Sequence, residues 1–184
     1  MKKVSFATEC IQNIEYNITN HLVSNFPIWG VRKLYYKLRG MKIGKGSYIL
    51  RGTVVRSPKK IVIGERTIIN EYCFLDGRSG IEIGNDVTIA VYSKLISGGH
   101  VIDDDEFGYT GEKITIGDNV AVFADAIVLA GARLKLGTVI SAGSVVKKGE
   151  YGPLKVYCGN PAIYLRERKS AGEYHQDYWH PVFR

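Results

Sequence analysis

Ile81-Glu82-Ile83-Gly84-Asn85-Asp86-Val87-Thr88-Ile89-Ala90-Val91-Tyr92-Ser93-Lys94-Leu95-Ile96-Ser97-Gly98-Gly99-His100 is the stretch on which the reading of this chain turns. Its aliphatics Ile83, Ile89 and Leu95 fall six residues apart, and four residues after each comes something small: Val87, Ser93 and Gly99. A helix repeats every ~3.6 residues and a strand every ~2, so a beat of six belongs to neither. It marks an all-β solenoid in which each side is one short strand plus a turn.

The same beat extends in both directions. Upstream it runs through Ile43, Ile49, Val55, Ile63, Ile69 and Leu75. Downstream it resumes at Ile116, Val122, Val128, Leu134, Ile140 and Val146. Grouped in threes, these are five coils. Ile61-Val62-Ile63-Gly64, Ile81-Glu82-Ile83-Gly84 and Ile114-Thr115-Ile116-Gly117 repeat almost word for word, with Leu134-Lys135-Leu136-Gly137 as a weaker echo. Each of these glycines is expected to supply a left-handed turn. Steps of eight, Val55 to Ile63 and Leu75 to Ile83, put two extra residues at one corner of successive coils. Tyr48, Tyr72 and Tyr92 are expected to face outward.

The beat breaks once. Leu95 to Ile116 is a step of 21, which leaves fifteen residues beyond a normal side. This looped-out segment, about residues 100–113, begins at His100 and carries Asp103, Asp104, Asp105 and Glu106. Long loops in compact domains are usually functional.

The chain of 184 residues is long enough for one domain, and 21 Gly against 5 Pro suits a turn-rich β fold. No apolar run approaches the ~20 residues of a membrane span. Met1 to Cys10 lacks the h-region of a signal peptide, so a cytoplasmic protein is expected. Cys10, Cys73 and Cys158 form no close pair and read as packing residues rather than as a disulfide framework or a metal knuckle. The net charge of +7 divides as +5 over residues 1–42, −1 over 43–146 and +3 over 147–184. A nearly neutral solenoid body argues against a nucleic-acid surface.

Three parts follow: an N-terminal helical segment (1–42), the solenoid (43–150) and a tail (151–184) with a short helix over Ile163 to Lys169. Residues 26–39 mix aromatic and aliphatic side chains with Arg32, Lys33, Lys37 and Arg39. They read as a cap on the open end of the solenoid or as a helix lying on an anionic membrane surface at the inner face. No periodicity is evident over Glu173 to Arg184.

The lattice, its single break, a His at the entrance of that break and a closing Gly159-Asn160-Pro161-Ala162 together resemble the hexapeptide-repeat acyltransferases. Within them the chain is similar to the maltose, galactoside and polysaccharide O-acetyltransferases. Ile83-Gly84-Asn85-Asp86-Val87, Ser97-Gly98-Gly99-His100, Ile116-Gly117-Asp118-Asn119-Val120 and Ile140 to Lys148 carry the likeness, over about residues 43–168. It implies a left-handed parallel β-helix of about five coils, a homotrimer with active sites between neighbouring subunits, and acetyl-CoA as co-substrate without a metal.

The resemblance also assigns roles. His100 aligns with the catalytic histidine, a general base that takes the proton of an acceptor hydroxyl as it attacks the thioester. Asp103, Asp104 or Asp105 could orient its other ring nitrogen. Asn70 and Asp76 align with acceptor-binding residues, a turn role being open for each. Ala124 and Ala142 match small positions beside the pantetheine arm. Lys147 and Lys148 match cations near the CoA phosphates, with Asn160 and Arg166 in the closing segment. Ala121, Val122-Phe123 and Lys148-Gly149-Glu150 depart from the family pattern.

The implied function is O-acetylation of a saccharide, in polysaccharide biosynthesis. Three alternatives stand beside it. One is N-acetylation of a nucleotide-linked amino sugar. Another is a γ-class carbonic anhydrase, which needs three His on neighbouring coils where this lattice has only His100. The third is a non-catalytic scaffold.

Overall fold

The computed structural model describes residues 5–170 and 174–176. Most of the segment from Glu173 to Arg184, His180 included, lies outside the described residues. The chain winds as a left-handed parallel β-helix with three sheets and three corners per coil. The first sheet has six strands, from Lys42–Ile43 to Gly149–Tyr151. The second has six parallel strands, from Tyr48–Ile49 to Lys155–Cys158, plus one antiparallel. The third has five, from Val54–Arg56 to Val145–Val146. There are thus five complete coils and two sides of a sixth, one partial coil more than the beat reveals. The beat fades there because Tyr151 and Tyr157 replace aliphatics at the inward positions facing Leu134 and Ile140.

Register follows the six-residue beat. Ile61, Ile81 and Ile114 align in the first sheet, Ile69, Ile89 and Val122 in the second, and Leu75, Leu95 and Val128 in the third. All nine are buried. Each stabilises the coil by roughly 1.5–3 kcal/mol through apolar burial. The small residues close the corners from inside with hydrogen bonds to the next coil. Ser47 Oγ donates to the Gly64 carbonyl (2.6 Å), Thr67 Oγ1 to that of Gly84 (2.8 Å) and Ser93 Oγ to that of Phe123 (3.0 Å). Cys73 Sγ does the same to Ala90 (3.2 Å), and burial pushes its thiol up to about 12, which leaves it a packing residue.

Gly64 and Gly84 are required for a different reason than a left-handed turn. A Cβ on Gly64 would stand 2.6 Å from the Gly84 carbonyl carbon, and one on Gly84 would stand 2.3 Å from Asp118 Oδ1. The coils simply approach too closely there. The left-handed residues sit two positions later, at Gly46, Arg66, Asp86, Asn119 and Gly137 in the first corner and at Gly52, Tyr72, Tyr92, Asp125 and Gly143 in the second. Gly137 therefore answers Asn119, and Leu134 rather than Leu136 pairs with Ile116, so the weaker echo is out of register. Tyr72 and Tyr92 carry φ of 58° and 64°, costly for aromatic residues, and stack on each other at 5.5 Å. Both are exposed, whereas Tyr48 packs beneath Trp29 (5.8 Å) rather than facing outward.

The N-terminal segment forms α1 (Phe6–Asn17), a π-helical turn (Ile18–Val23) and α2 (Trp29–Leu38). Together they cover the open edge of the first coil. Asn20 pairs with Val55 as a strand would, accepting from its N–H (2.7 Å) and donating to its carbonyl (3.1 Å). Arg32, fully buried, donates to the carbonyls of Phe26 and Ile49. An edge left bare would expose the first coil's unpaired backbone groups.

Ile163 to Glu167 forms a strand, not the short helix its residues suggest. It folds back antiparallel on Lys155–Cys158, because the last strand of the second sheet would otherwise present a free edge. Beyond it, Tyr174 to Gln176 straps onto the first corner. Gln176 N–H and Arg66 donate to Asp86, with His175 Nδ1 at 3.3 Å. Burial works against the Asp86 charge, yet these bonds outweigh it and hold the carboxyl at about 2.

Candidate active site

The third corner, where the third sheet gives way to the first, is where the lattice departs from its own rule. In the third coil it extends into a hairpin, Gly98–His100 antiparallel to Tyr109–Gly111, with His100 opposite Tyr109. Glycines make it possible. A Cβ on Gly98 would lie 2.2 Å from the Tyr109 hydroxyl, and one on Gly111 would lie 2.1 Å from Ser79 Oγ. The Tyr109 hydroxyl fills that space and bonds Ser79 Oγ at 2.7 Å.

His100 is exposed at the end of its strand. Its Nδ1 lies 2.8 Å from the Phe107 carbonyl, its ring stacks on Phe107 (4.6 Å, 4°) and Tyr109 meets it edge-on (6.2 Å, 89°). A carbonyl can only accept, so this bond selects the Nδ1–H tautomer and leaves the Nε2 lone pair available. No described residue bonds Nε2. The orienting group is therefore the Phe107 backbone and not Asp103, Asp104 or Asp105. Asp104 instead builds the loop, accepting from Glu106 N–H (3.2 Å) and Gly108 N–H (3.0 Å). The Gly108 carbonyl accepts from Val101 N–H at 2.9 Å, which closes the loop around the histidine.

Asp76 lies at the third corner one coil earlier, fully buried. Its two oxygens receive Arg78 Nε (2.9 Å to each) and a terminal Arg78 nitrogen (2.7 Å). Arg78 in turn lies 5.2 Å over the Tyr109 ring. Asp76 thus fixes an arginine beside the hairpin, and its oxygens are already engaged. Asn70 sits at the second corner, where its Nδ2 donates to the Ile89 carbonyl (3.1 Å). A side of the solenoid separates it from His100, so one chain does not bring the two together.

The expected CoA residues fall into two groups. Ala124 and Ala142 lie one above the other at the second corner, where the Ala124 carbonyl accepts from Gly143 N–H (2.9 Å), and Asn160 follows in the next coil. A Cβ on Gly143 would meet nothing within 4 Å, so this corner is open. Arg166, in the antiparallel strand, lines a groove of about 610 Å³ along the second sheet with Ala121, Phe123, Arg168 and Lys169. Its apolar floor and cationic wall fit the chemistry of a pantetheine arm and of phosphates. Lys147 and Lys148 lie at the third corner instead. Lys148 Nζ holds Glu112 at 2.5 Å and lowers its pKa, while the Lys147 side chain is exposed.

Phe107, Tyr109, Arg78 and Ser79 escape reading from sequence. Tyr109 and Ser79 sit where the repeat is broken or stretched, and Phe107 acts through its backbone. Among the described residues no group of three or more His, Cys, Asp or Glu side chains gathers as a metal site.

No protein-family model matches the chain. It is 32% identical over 136 residues to the mitochondrial γ carbonic anhydrase 2 of Arabidopsis thaliana, a match covering 69% of this chain and 44% of that protein. The chain therefore spans less than half the length of that relative. A hexapeptide-repeat acetyltransferase of Vibrio cholerae, solved with acetyl-CoA, superposes with a TM-score of 0.80 at 22% identity, over 90% of this chain and 92% of that one. A maltose O-acetyltransferase of Clostridium difficile gives 0.78 at 24% identity, over 90% and 92%. The chain shares the β-helical fold of these two solved structures. Solved structures with this fold include acetyltransferases, a maltose O-acetyltransferase among them.

Proposed function

We propose that the protein is an acetyl-CoA-dependent O-acetyltransferase acting on a saccharide hydroxyl, with His100 as general base. The observation that carries this reading is the 2.8 Å contact from His100 Nδ1 to the Phe107 carbonyl, which commits one ring nitrogen and frees the other. Nε2 accepts the acceptor's proton as its oxygen attacks the thioester carbonyl. The tetrahedral intermediate collapses with loss of the CoA thiolate, and the imidazolium returns the proton to that sulfur. No acyl-enzyme forms, in keeping with a buried Cys73. Acetyl-CoA supplies the activated acyl group. Ala124, Ala142, Asn160 and Arg166 would hold it, with Lys147, at the third corner, reaching the phosphates from a neighbouring subunit.

The protein works as a homotrimer in this reading. His100 and the open second corner belong to different edges of one chain, and three-fold closure would face one against the other across a subunit boundary. Asn70 of a neighbour would then reach the acceptor. Residues 26–39 contact the membrane in the same reading, since Phe26, Val31, Leu34 and Leu38 are exposed beside Lys33 and Lys37. No described helix is long and apolar enough to cross a membrane.

Thiol release from acetyl-CoA, measured over a panel of hydroxyl and amino sugars, tests the activity. Release with hydroxyl sugars alone supports O-transfer. Release with amino sugars alone replaces it with N-transfer, and none with either favours a scaffold. Sedimentation of the full chain tests the trimer, and a monomer at micromolar concentration would end that part of the reading. Membrane contact fails if the full chain ignores anionic vesicles at low salt as completely as a chain lacking residues 1–40.

A further inference from the structure

We infer that the acceptor carries a phosphate or diphosphate group, bound in the cavity between α1 and the long third corners of the first two coils. This deepens the acyl-transfer reading and rests on it. The cavity holds about 640 Å³ and is lined by Arg39, Arg56, Lys59 and Arg78 against a single carboxylate, Glu15.

Two of the four cations are already neutralised: Arg39 pairs with Glu15, and Arg78 with Asp76. Arg56 and Lys59 are not. No described carboxylate pairs with either, and the Arg56 guanidinium rests 5.8 Å over the Tyr16 ring, which holds it in place without cancelling its charge. Lys60, next in the chain to Lys59, donates its Nζ to the Arg78 carbonyl at 2.7 Å. Ser57, between the two uncommitted cations, is held at φ 54°, and no described residue bonds its hydroxyl.

These residues occupy the corner where the six-residue beat gains two in each of the first two coils. The lattice needs no such insertion, as the second corner shows by never lengthening in the first five coils. The insertions therefore serve something outside the lattice. Their composition says what: an uncompensated guanidinium and ammonium with a free hydroxyl are a phosphate-binding set. The cavity volume lies in the range of about 300–1,000 Å³ that encloses small organic ligands, larger than a lone phosphate needs, so a sugar phosphate or sugar diphosphate suits it. The cavity is linked to the base through two successive ring contacts. Arg78 forms part of its wall and covers Tyr109, whose ring meets His100.

Calorimetric titration of inorganic pyrophosphate into the full chain, kept saturated with CoA so that the cofactor groove is filled, reads this site. We expect saturable binding that weakens about tenfold or more in Arg56→Gln/Lys59→Gln and is restored in Arg56→Lys/Lys59→Arg. Absence of saturable binding, or binding unchanged in the Gln variant, overturns the inference. If the Gln variant does not fold, the wild-type titration at rising KCl decides, and an affinity insensitive to salt overturns it equally. UDP and geranyl diphosphate then compete with pyrophosphate. Displacement by one assigns a nucleotide-linked or a lipid-linked acceptor, displacement by both supports the shared diphosphate, and displacement by neither overturns it. His100→Ala should bind pyrophosphate as the wild type does. A chain that binds pyrophosphate but transfers no acetyl group would sink the enzyme reading and leave this site standing.

Discussion

The second and third corners of the solenoid see the same coils and do opposite things. At the second corner Gly52, Tyr72, Tyr92, Asp125 and Gly143 repeat one left-handed geometry coil after coil. At the third, successive coils present Arg56 with Lys59, then Asp76 with Arg78, then a hairpin that delivers His100. The difference shows where chemistry can be built in a repeat fold. A corner that must stack in register has its side chains dictated by its neighbours, whereas a corner that has grown can hold contacts made only once. The second corner's strain is shared along a stack; at the third corner Asp76, Arg78 and His100 are each held by a partner of their own.

That contrast can be broken at either side. His100→Ala should cost acetyl transfer about 10²–10⁴-fold while thermal unfolding stays where it was. Unchanged turnover would remove the base. Ile89→Ala acts on the lattice instead and should lower stability by about 2–5 kcal/mol, measured by urea unfolding. A loss confined to activity would contradict its role in the stack.

A third test uses pH. Asp86 is held at about 2 against an ordinary 3.8, so its contribution is complete above the ordinary value and is lost as pH falls toward 2. The expected loss is about 2 kcal/mol across that window, and Asp86→Asn should flatten it. The smallest effect belongs to Tyr109→Phe. Losing the 2.7 Å bond to Ser79 should slow transfer a few-fold, about 1 kcal/mol, with little change in unfolding. A large stability loss would mean that the hairpin belongs to the lattice after all.

The fold was almost wholly legible because a period of six leaves no competing interpretation, and burial at Ile49, Ile69, Ile89 and Val122 follows it position by position. The Gly64 and Gly84 positions were also legible, but not their cause, since close approach and left-handed backbone select the same residue. The sixth partial coil and the terminal strand Ile163–Glu167 were hidden. Edge pairing there is decided by what the neighbouring strand leaves open, not by local periodicity. At the site, His100 stood out because the beat stops beside it. Its orienting partner did not, because a backbone carbonyl carries no residue signature. Asp76 looked like a ligand for the acceptor, and only the geometry shows both oxygens taken by Arg78.

The strap formed by Tyr174 to Gln176 changes how such a molecule comes apart. A solenoid touches only its neighbours along the axis and tends to peel from its ends, one coil at a time. Here Gln176 grips Asp86 and Thr88 in the third coil, Asn119 of the fourth donates to the Tyr174 carbonyl, and Arg168 holds the carbonyls of Asn119 and Gly137. The segment Tyr174 to Gln176 is thus tied back to the middle of the solenoid. Unwinding from the C-terminal end must first release that tie, which turns a row of separable steps into one shared event and keeps the later coils closed as a unit.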